Sequence, residues 1–560
     1  MKKMKVFVWG LAVLVLLSSG IVGCKKTGDS DNKADSHITQ SDDGSKPEAV
    51  TFTVFTGEPG QQYAKDNKIY KLIEEKLGVK FEFEFQVGDL DQKLGVMVAS
   101  GDYPDIIHGS SSADKLIKAG AFLPMQDMIT DETPKLKKHI EPYINKIKER
   151  EDGNIYIIPN YGRYYGEDSG TWYGGPAFWI QKAVLKEFDY PEIKTLDEYF
   201  DIIKRYKEKY PEIEGQPTIG FEVLCYDWRS FCLKNAPAQL AGYPNDGGII
   251  VNPDTYAASI YANTDIAKTY YKKLNAAYND GLIKPETFVR NYDEYLAVLS
   301  SGAVLGMFDQ GWQFEKAANS LIAQDRIERT YAPLPIVLDE SITPYYRDRP
   351  PLNINRGYGI SVDCENPKRF VKLLDTFLSE EWQKIFAWGI EGEDYLVDDN
   401  GIFYRTEEQR ANSEDPSWKL SNKAEALFGN LPKIEGTFSD GNATTPVNQP
   451  DEYFATLKPL DQEILNHYGI KSYPQMLGKA PENPKYYPAW QISLGNGTDA
   501  AVAEQKIGEV QVKYLPTLIM DSVENFDTVW EEYLARYHKI NIKAYEDKVN
   551  EGIQWRINNW

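Results

Sequence analysis

The chain has 560 residues and a formal net charge of −22. That length exceeds one ordinary domain and calls for two or more lobes, and a hydrophobic content of 42% supplies real cores for them. The acidic balance argues against nucleic acid and against binding anionic lipid through basic patches. With 37 Tyr and 12 Trp, there is ring surface for an aromatic-lined cleft as well as for core.

Residues 1–24 read MKKMKVFVWGLAVLVLLSSGIVGC. Lys2, Lys3 and Lys5 precede an apolar run from Val6 to Leu17, and small residues lead to Ile21-Val22-Gly23-Cys24. This pattern predicts a secretory signal over 1–23, with a core too short for a stable membrane span. Its removal takes away three lysines and leaves a net charge of about −25. The tetrad resembles the bacterial lipobox, departing at Val22, where Ala or Ser is commoner. The resemblance implies that the Cys24 thiol receives a diacylglycerol and becomes the first mature residue. The alternatives are an ordinary signal with an incidental cysteine, or an N-terminal anchor that stays on. Residues 24–48 are Lys, Ser, Asp, Gly and Asn with almost no apolar content, and read as a disordered tether. With Cys24 lipidated, Cys225, Cys232 and Cys364 remain, an odd count that means at least one free thiol or an intermolecular pair; Cys225 and Cys232 are left open as a possible bridge. No Cys or His lies in metal-type spacing, and no cofactor is expected.

Ordered structure is predicted from Val50. Val50–Thr56 and Val79–Phe85 read as strands, with a helix from Gln61 to Leu77 between them. Asp89–Ser100 reads as a helix, Asp105–His108 as a short buried strand, and Ser110–Asp114 as the cap of another helix. Strand, helix, strand, helix, strand predicts an open α/β sheet with parallel pairing, whose ligand lies beyond the carboxyl ends of the strands. Residues 151–161 read as a turn and strand, followed by an aromatic, glycine-rich loop, 161–175, where the chain crosses to a second lobe. There Ala177–Ile180, Thr218–Val223, Ala303–Phe308 and Tyr331–Val337 read as strands, and Tyr256–Ile260 as a pairing segment. Lys182–Phe188, a capping-box helix from Thr195-Leu-Asp-Glu198 to Tyr210, Asp265–Asp280, Tyr292–Ser301 and a helix opening at Asp309-Gln-Gly-Trp312 accompany them. The proline-containing segment Asp339–Asn355 reads as a linker back to a strand at Gly357–Val362 and a helix at Asn366–Leu378. No sheet is legible in 405–500; helices are predicted at Ile507–Lys513, Ser522–Tyr537 and Asn541–Trp555. Asp398-Asp-Asn-Gly401 reads as a turn, lacking the ligand alternation of a calcium loop.

Several stretches resemble the extracellular solute-binding proteins of ABC importers, the family that includes maltose-binding protein, and above all the long sugar-binding lipoproteins of Gram-positive bacteria. Val98-Ala-Ser-Gly-Asp-Tyr-Pro-Asp-Ile-Ile107 is similar to ASGDxPDI. Gly120-Ala-Phe-Leu-Pro-Met-Gln-Asp-Met-Ile129 resembles GxLxPLDDLI, and Asp152-Gly-Asn-Ile-Tyr-Ile-Ile-Pro159 resembles DGKxYGLP. Leu274-Asn-Ala-Ala-Tyr-Asn-Asp-Gly-Leu-Ile-Lys-Pro285 is similar to LYxEGLIDP, Gly389-Ile-Glu-Gly-Glu-Asp-Tyr395 to GxEGxxY, and Ser522-Val-Glu-Asn-Phe-Asp527 to part of the closing helical region. No single motif is specific; their order along the chain carries the resemblance. It implies an α/β, two-lobe, periplasmic-binding-protein-like fold with a hinge and an interlobe ligand cleft. The lobes are expected at 49–160 with 352–395, and at 161–351 with 396–560.

A sugar site needs planar rings for stacking and acids, amides or Arg for hydroxyls. Trp312 is the leading candidate; Asp309-Gln-Gly-Trp312 also resembles the GPW turn of the maltose-binding family, whose Trp meets sugar. Asp309 belongs to the same turn. Glu58, His108 and Ser110 follow strands of the first sheet, while Ser112 reads as a helix cap. Tyr164, Tyr165 and Trp172 lie in the aromatic crossover, Trp228 and Arg229 in a loop, and Arg356 and Tyr358 at the return crossing. Trp490 is a weaker candidate in an irregular region. The expected partners are an oligosaccharide and ABC permease subunits, with a monomeric chain held at the outer face of the cell membrane through its lipid alone. The other readings are a surface glycoside hydrolase or lyase, and a peptide-binding protein of the same fold. Carboxylates are too numerous for a catalytic pair to be picked out, and there is no GxSxG elbow or Walker loop.

Overall fold

The computed structural model describes residues 49–560 apart from 150, 151, 167, 350 and 496. The predicted signal segment, Cys24 and the predicted tether lie outside the described residues.

Alternation builds the first sheet. In Val79–Phe85 the side chains of Val79, Phe81 and Phe83 are buried while Lys80, Glu82 and Glu84 face water, as a one-sided pleat requires. This strand pairs in parallel with Val50–Thr56, which pairs in parallel with Ile106–His108. Gly357–Ile360 then adds antiparallel to Ile106–His108, and Ile157–Pro159 antiparallel to Gly357–Ile360. The return segment is thus inserted into a sheet begun 300 residues earlier. The predicted Gln61–Leu77 helix starts only at Lys68, because the Asn67 side chain caps it there, accepting from the amides of Ile69 and Tyr70 at 2.9 and 3.0 Å.

The second sheet has the order Tyr331–Leu334, Pro176–Gln181, Val304–Gln310, Ile219–Glu222. Pro176–Gln181 is buried at every position, the mark of a strand covered on both faces. It runs antiparallel to both neighbours, while Val304–Gln310 is parallel to Ile219–Glu222. The Thr195–Glu198 capping box forms as read, with Glu198 Oε2 accepting from the Thr195 amide at 2.9 Å and Thr195 Oγ1 from the Glu198 amide at 3.3 Å.

Each sheet has its own main core. Phe52, Phe81, Ile106, Tyr358, Phe370 and Trp382 belong to one, and Phe178, Phe221, Tyr270, Met307 and Phe314 to the other. Three helices close the chain over the second core: Asp499–Met520, Phe526–Tyr537 and Ile542–Asn559. The first is 22 residues long, far beyond the predicted Ile507–Lys513, because Gly508 and Pro516 inside it disguise its length.

One boundary is corrected. Residues 396–438, expected in the second lobe, build onto the first: Ala424, Leu427 and Leu431 sit in the core with Phe370 and Trp382, and Phe403 and Phe438 pack with Trp388 and Tyr395. The GxEGxxY stretch thus leads into an extension of the first lobe. The chain rejoins the second core by Ile464 and Leu477. The aromatic crossover is not all loop either, since Gly162–Tyr165 forms a strand parallel to Lys433–Gly436. Asp398–Gly401 turns between the short strands Leu396–Val397 and Phe403–Tyr404. Cys225, Cys232 and Cys364 are all free thiols.

Candidate functional site

Between the two sheets lies a cleft of about 610 Å³. Tyr173, Gln310, Trp312 and Trp490 line it from the second body, and Phe428, Lys433 and Glu435 from the first. The segments that cross between the sheets supply Tyr164, Asp168 and Trp172 on one side and Arg347, Asp348 and Arg349 on another. The volume is in the range of small-molecule sites.

Trp312 stands at the carboxyl end of Val304–Gln310, where the helix Gly311–Ala323 begins. A Cβ on Gly311 would come within 2.2 Å of the Tyr173 carbonyl oxygen, so only glycine lets this turn pass under the crossover. The Trp312 indole N–H donates to Gln310 Oε1 at 2.6 Å, and its ring stacks on Trp228 at 6.0 Å between centroids and 13° between planes. Trp228 is presented by a tight turn with Asp227 at φ 46°. Asp227 binds Arg229 at 2.8 Å, and the Arg229 guanidinium lies between the Trp228 and Tyr292 rings at 4.5 and 4.4 Å. Trp312 remains 40% exposed, Trp228 60% and Trp172 61%. Such large open indoles cost apolar hydration unless something covers them.

The polar groups are mostly spent on each other. Arg347 pairs with Asp168 at 3.0 Å. The Arg349 guanidinium sits 4.9 Å over the Tyr164 ring. Lys433 donates to the carbonyls of Gly429 and Leu431 at 3.0 and 3.1 Å, and burial lowers its ammonium to about 8. Burial raises the Asp348 carboxyl to about 7 and raises Glu435 as well, so both favour the neutral acid. In a neighbouring pocket of the first body, Arg356 binds Glu58 at 2.6 Å, and Ser110 donates to the same carboxylate at 3.5 Å.

Besides Glu58, Ser110 and Arg356, four more sequence candidates lie outside the cleft. His108 is fully buried under the first sheet, and burial drops its imidazole to about 4. Tyr358 is a core residue whose hydroxyl donates to the Ala426 carbonyl at 3.1 Å. Tyr165 lines a different pocket with Lys138 and His139, under the Arg163 guanidinium. Asp309 has no exposed surface: it accepts from Tyr295 Oη at 2.5 Å, the Gln310 amide at 2.7 Å, Gln313 Nε2 at 2.8 Å and Cys232 Sγ at 3.1 Å. It organises the turn that carries Trp312 rather than facing a ligand. Ser112 precedes the helix Ala113–Lys118, but its side chain caps no amide there; it donates instead to Asp91 Oδ1 at 2.5 Å on the surface.

Sequence reasoning missed Asp168, Arg347, Asp348, Arg349, Lys433 and Glu435. The signal was present in Tyr345-Tyr-Arg-Asp-Arg349, two rings and three charges in a row, but the surrounding prolines made it read as linker.

Two α/β bodies joined by crossing segments around an aromatic cleft define a binding protein of the two-lobe periplasmic type. A family model described as bacterial extracellular solute-binding protein matches residues 58–384, more than half of the chain, and the chain belongs to that family. It is 26% identical over 236 residues to the fructooligosaccharide ABC transporter substrate-binding protein FusA of Streptococcus pneumoniae, a match spanning 41% of this chain and 44% of that protein, less than half of its length. In fold it is similar to a human-milk-oligosaccharide (HMO)-binding, ABC-transporter-associated solute-binding protein of Bifidobacterium longum infantis, with TM-score 0.62 and 16% identity over 90% of this chain and 99% of that one. It is similar also to S. pneumoniae FusA in complex with kestose, with TM-score 0.55 and 18% identity over 91% and 100%. No helix among the described residues is long and apolar enough to cross a membrane.

Proposed function

We propose that the chain captures a neutral oligosaccharide in the interlobe cleft and delivers it to an ABC permease, held at the outer face of the membrane by a lipid on Cys24. The observation that carries this reading is the co-stacked pair Trp312 and Trp228, a rigid, open ring surface of the kind that covers the apolar face of a sugar. The pairing of Arg347 with Asp168, and the commitment of Lys433 to main-chain carbonyls, favour an uncharged ligand over a uronate or a peptide with free termini. The oligosaccharides named for FusA and for the B. longum protein point the same way. Binding closes the lobes without altering the sugar; the hydrolase reading instead requires a shortened product.

The test is a thermal-shift panel on the purified chain. It sets neutral oligosaccharides, kestose and maltotetraose among them, beside galacturonate oligomers and peptides. A raised melting temperature with a neutral oligosaccharide alone is the expected result. A shift with peptides or uronates and none with neutral sugars refutes it.

A further inference from the structure

The second body holds another cavity, of about 250 Å³, walled by the helices Phe231–Leu240, Asp499–Met520 and Ile542–Asn559 and by residues 489–494. It shares one lining residue with the interlobe cleft, Trp490, whose ring is 53% exposed. The two spaces therefore meet side by side at a single indole.

The lining has an unusual balance. Ile492, Leu494, Ile507 and Val549 form apolar wall, while Lys234, Asn235, Glu504, Gln511 and Tyr545 bring five hydrogen-bonding side chains to the same space. Gln511 and Tyr545 are 7% and 8% exposed, so their polar ends are held in the wall of the cavity. Lys234 is half-buried, and burial lowers its ammonium, with Glu504 acting in the opposite sense.

Gly508 adds an independent observation. It lies within the helix Asp499–Met520 and lines the cavity, and a Cβ there would meet nothing within 4 Å. A glycine in mid-helix lowers helix stability relative to alanine, and nothing steric requires it here. Its consequence is that the cavity stays open.

We infer that this cavity is a side subsite that takes one neutral sugar ring, branching from the oligosaccharide bound in the cleft, with Trp490 at the junction. The volume falls just below the roughly 300–1,000 Å³ of whole-ligand sites, which suits one ring rather than a chain. Amide, phenol and ammonium groups match sugar hydroxyls, and the aliphatic wall matches a ring face. All lining residues belong to the second body, so the subsite is formed before the lobes close and selects branched ligands. This inference rests on the sugar reading of the cleft.

The experiment fills the cavity with Gly508→Leu, a change that favours the helix, and in a second variant removes the donor with Gln511→Leu. Each is titrated with two probes by calorimetry: maltotetraose, which is linear, and a xyloglucan heptasaccharide, which is branched. Wild type is expected to bind the branched probe at least tenfold tighter than either variant does, with the linear probe bound equally by all three. Branched-probe affinity unchanged in both variants overturns the subsite. An equal loss for both probes overturns the branch assignment. If wild type binds neither of these probes and no other neutral sugar, the sugar reading of the cleft fails and this inference falls with it.

Discussion

Asp309 offers the sharpest test of how the Trp312 turn is held. Its carboxylate is enclosed by four donors, Tyr295, Gln310, Gln313 and Cys232, yet burial outweighs their effect and raises its ionisation from 3.8 to about 6. A shift of about two units corresponds to about 3 kcal/mol held against the folded state once the group is ionised. The sign follows from the direction. An acid raised on folding has no penalty below its unfolded value near 4, acquires one as pH rises through 4 to 6, and carries all of it above 6. In Asp309→Asn the amide keeps the shape, its oxygen still accepts from the Gln310 amide and Gln313, and the Tyr295 hydroxyl can turn to accept from its nitrogen. Nothing ionises. The assay is urea unfolding of wild type and variant from pH 4 to pH 8, taken as a difference so that other titrating groups such as His108 and Asp348 cancel. The variant should gain on wild type by up to about 3 kcal/mol between pH 4 and pH 7 and by nothing further above that. Two curves that stay parallel across the range would refute the buried, ionising Asp309.

Other expectations concern the rings and the anchor. Trp312→Ala removes the exposed partner of a stacked pair, and tryptophan anchors of binding sites are worth about 2 kcal/mol or more, so oligosaccharide affinity should fall about 30-fold with little change in melting temperature. Calorimetry reads the first and scanning fluorimetry the second; unchanged affinity in a folded variant removes Trp312 from the site. For the anchor, Cys24→Ser should release the chain from the membrane fraction or leave it unprocessed, with cleft affinity untouched. Normal cleavage with full membrane retention would contradict lipidation.

Much of the fold was legible because its signals are local. The alternation of Val79–Phe85 reports a one-sided strand without reference to the rest of the chain. The Thr195–Glu198 capping box sets a helix start from four residues. What failed depends on distant partners. Nothing within 396–438 says which core Leu427 and Leu431 will enter, and only the packing against Phe370 and Trp382 decides it. The site follows the same rule. Trp312 was legible because it follows a strand at a helix start, a position that exposes side chains in α/β sheets. The same rule misplaced His108 and Asp309, whose side chains turn beneath the sheets instead of out of them. Arg347, Asp348 and Arg349 gather in the cleft only because the chain crosses there.

The central claim is that the cleft binds a neutral oligosaccharide and leaves it intact. The most direct measurement is isothermal titration of the purified chain with the neutral oligosaccharide giving the largest thermal shift, followed by chromatography of the recovered sugar. The prediction is one saturable site per chain and a sugar of unchanged length. Absence of heat with every neutral oligosaccharide, or recovery of shortened products, would contradict it.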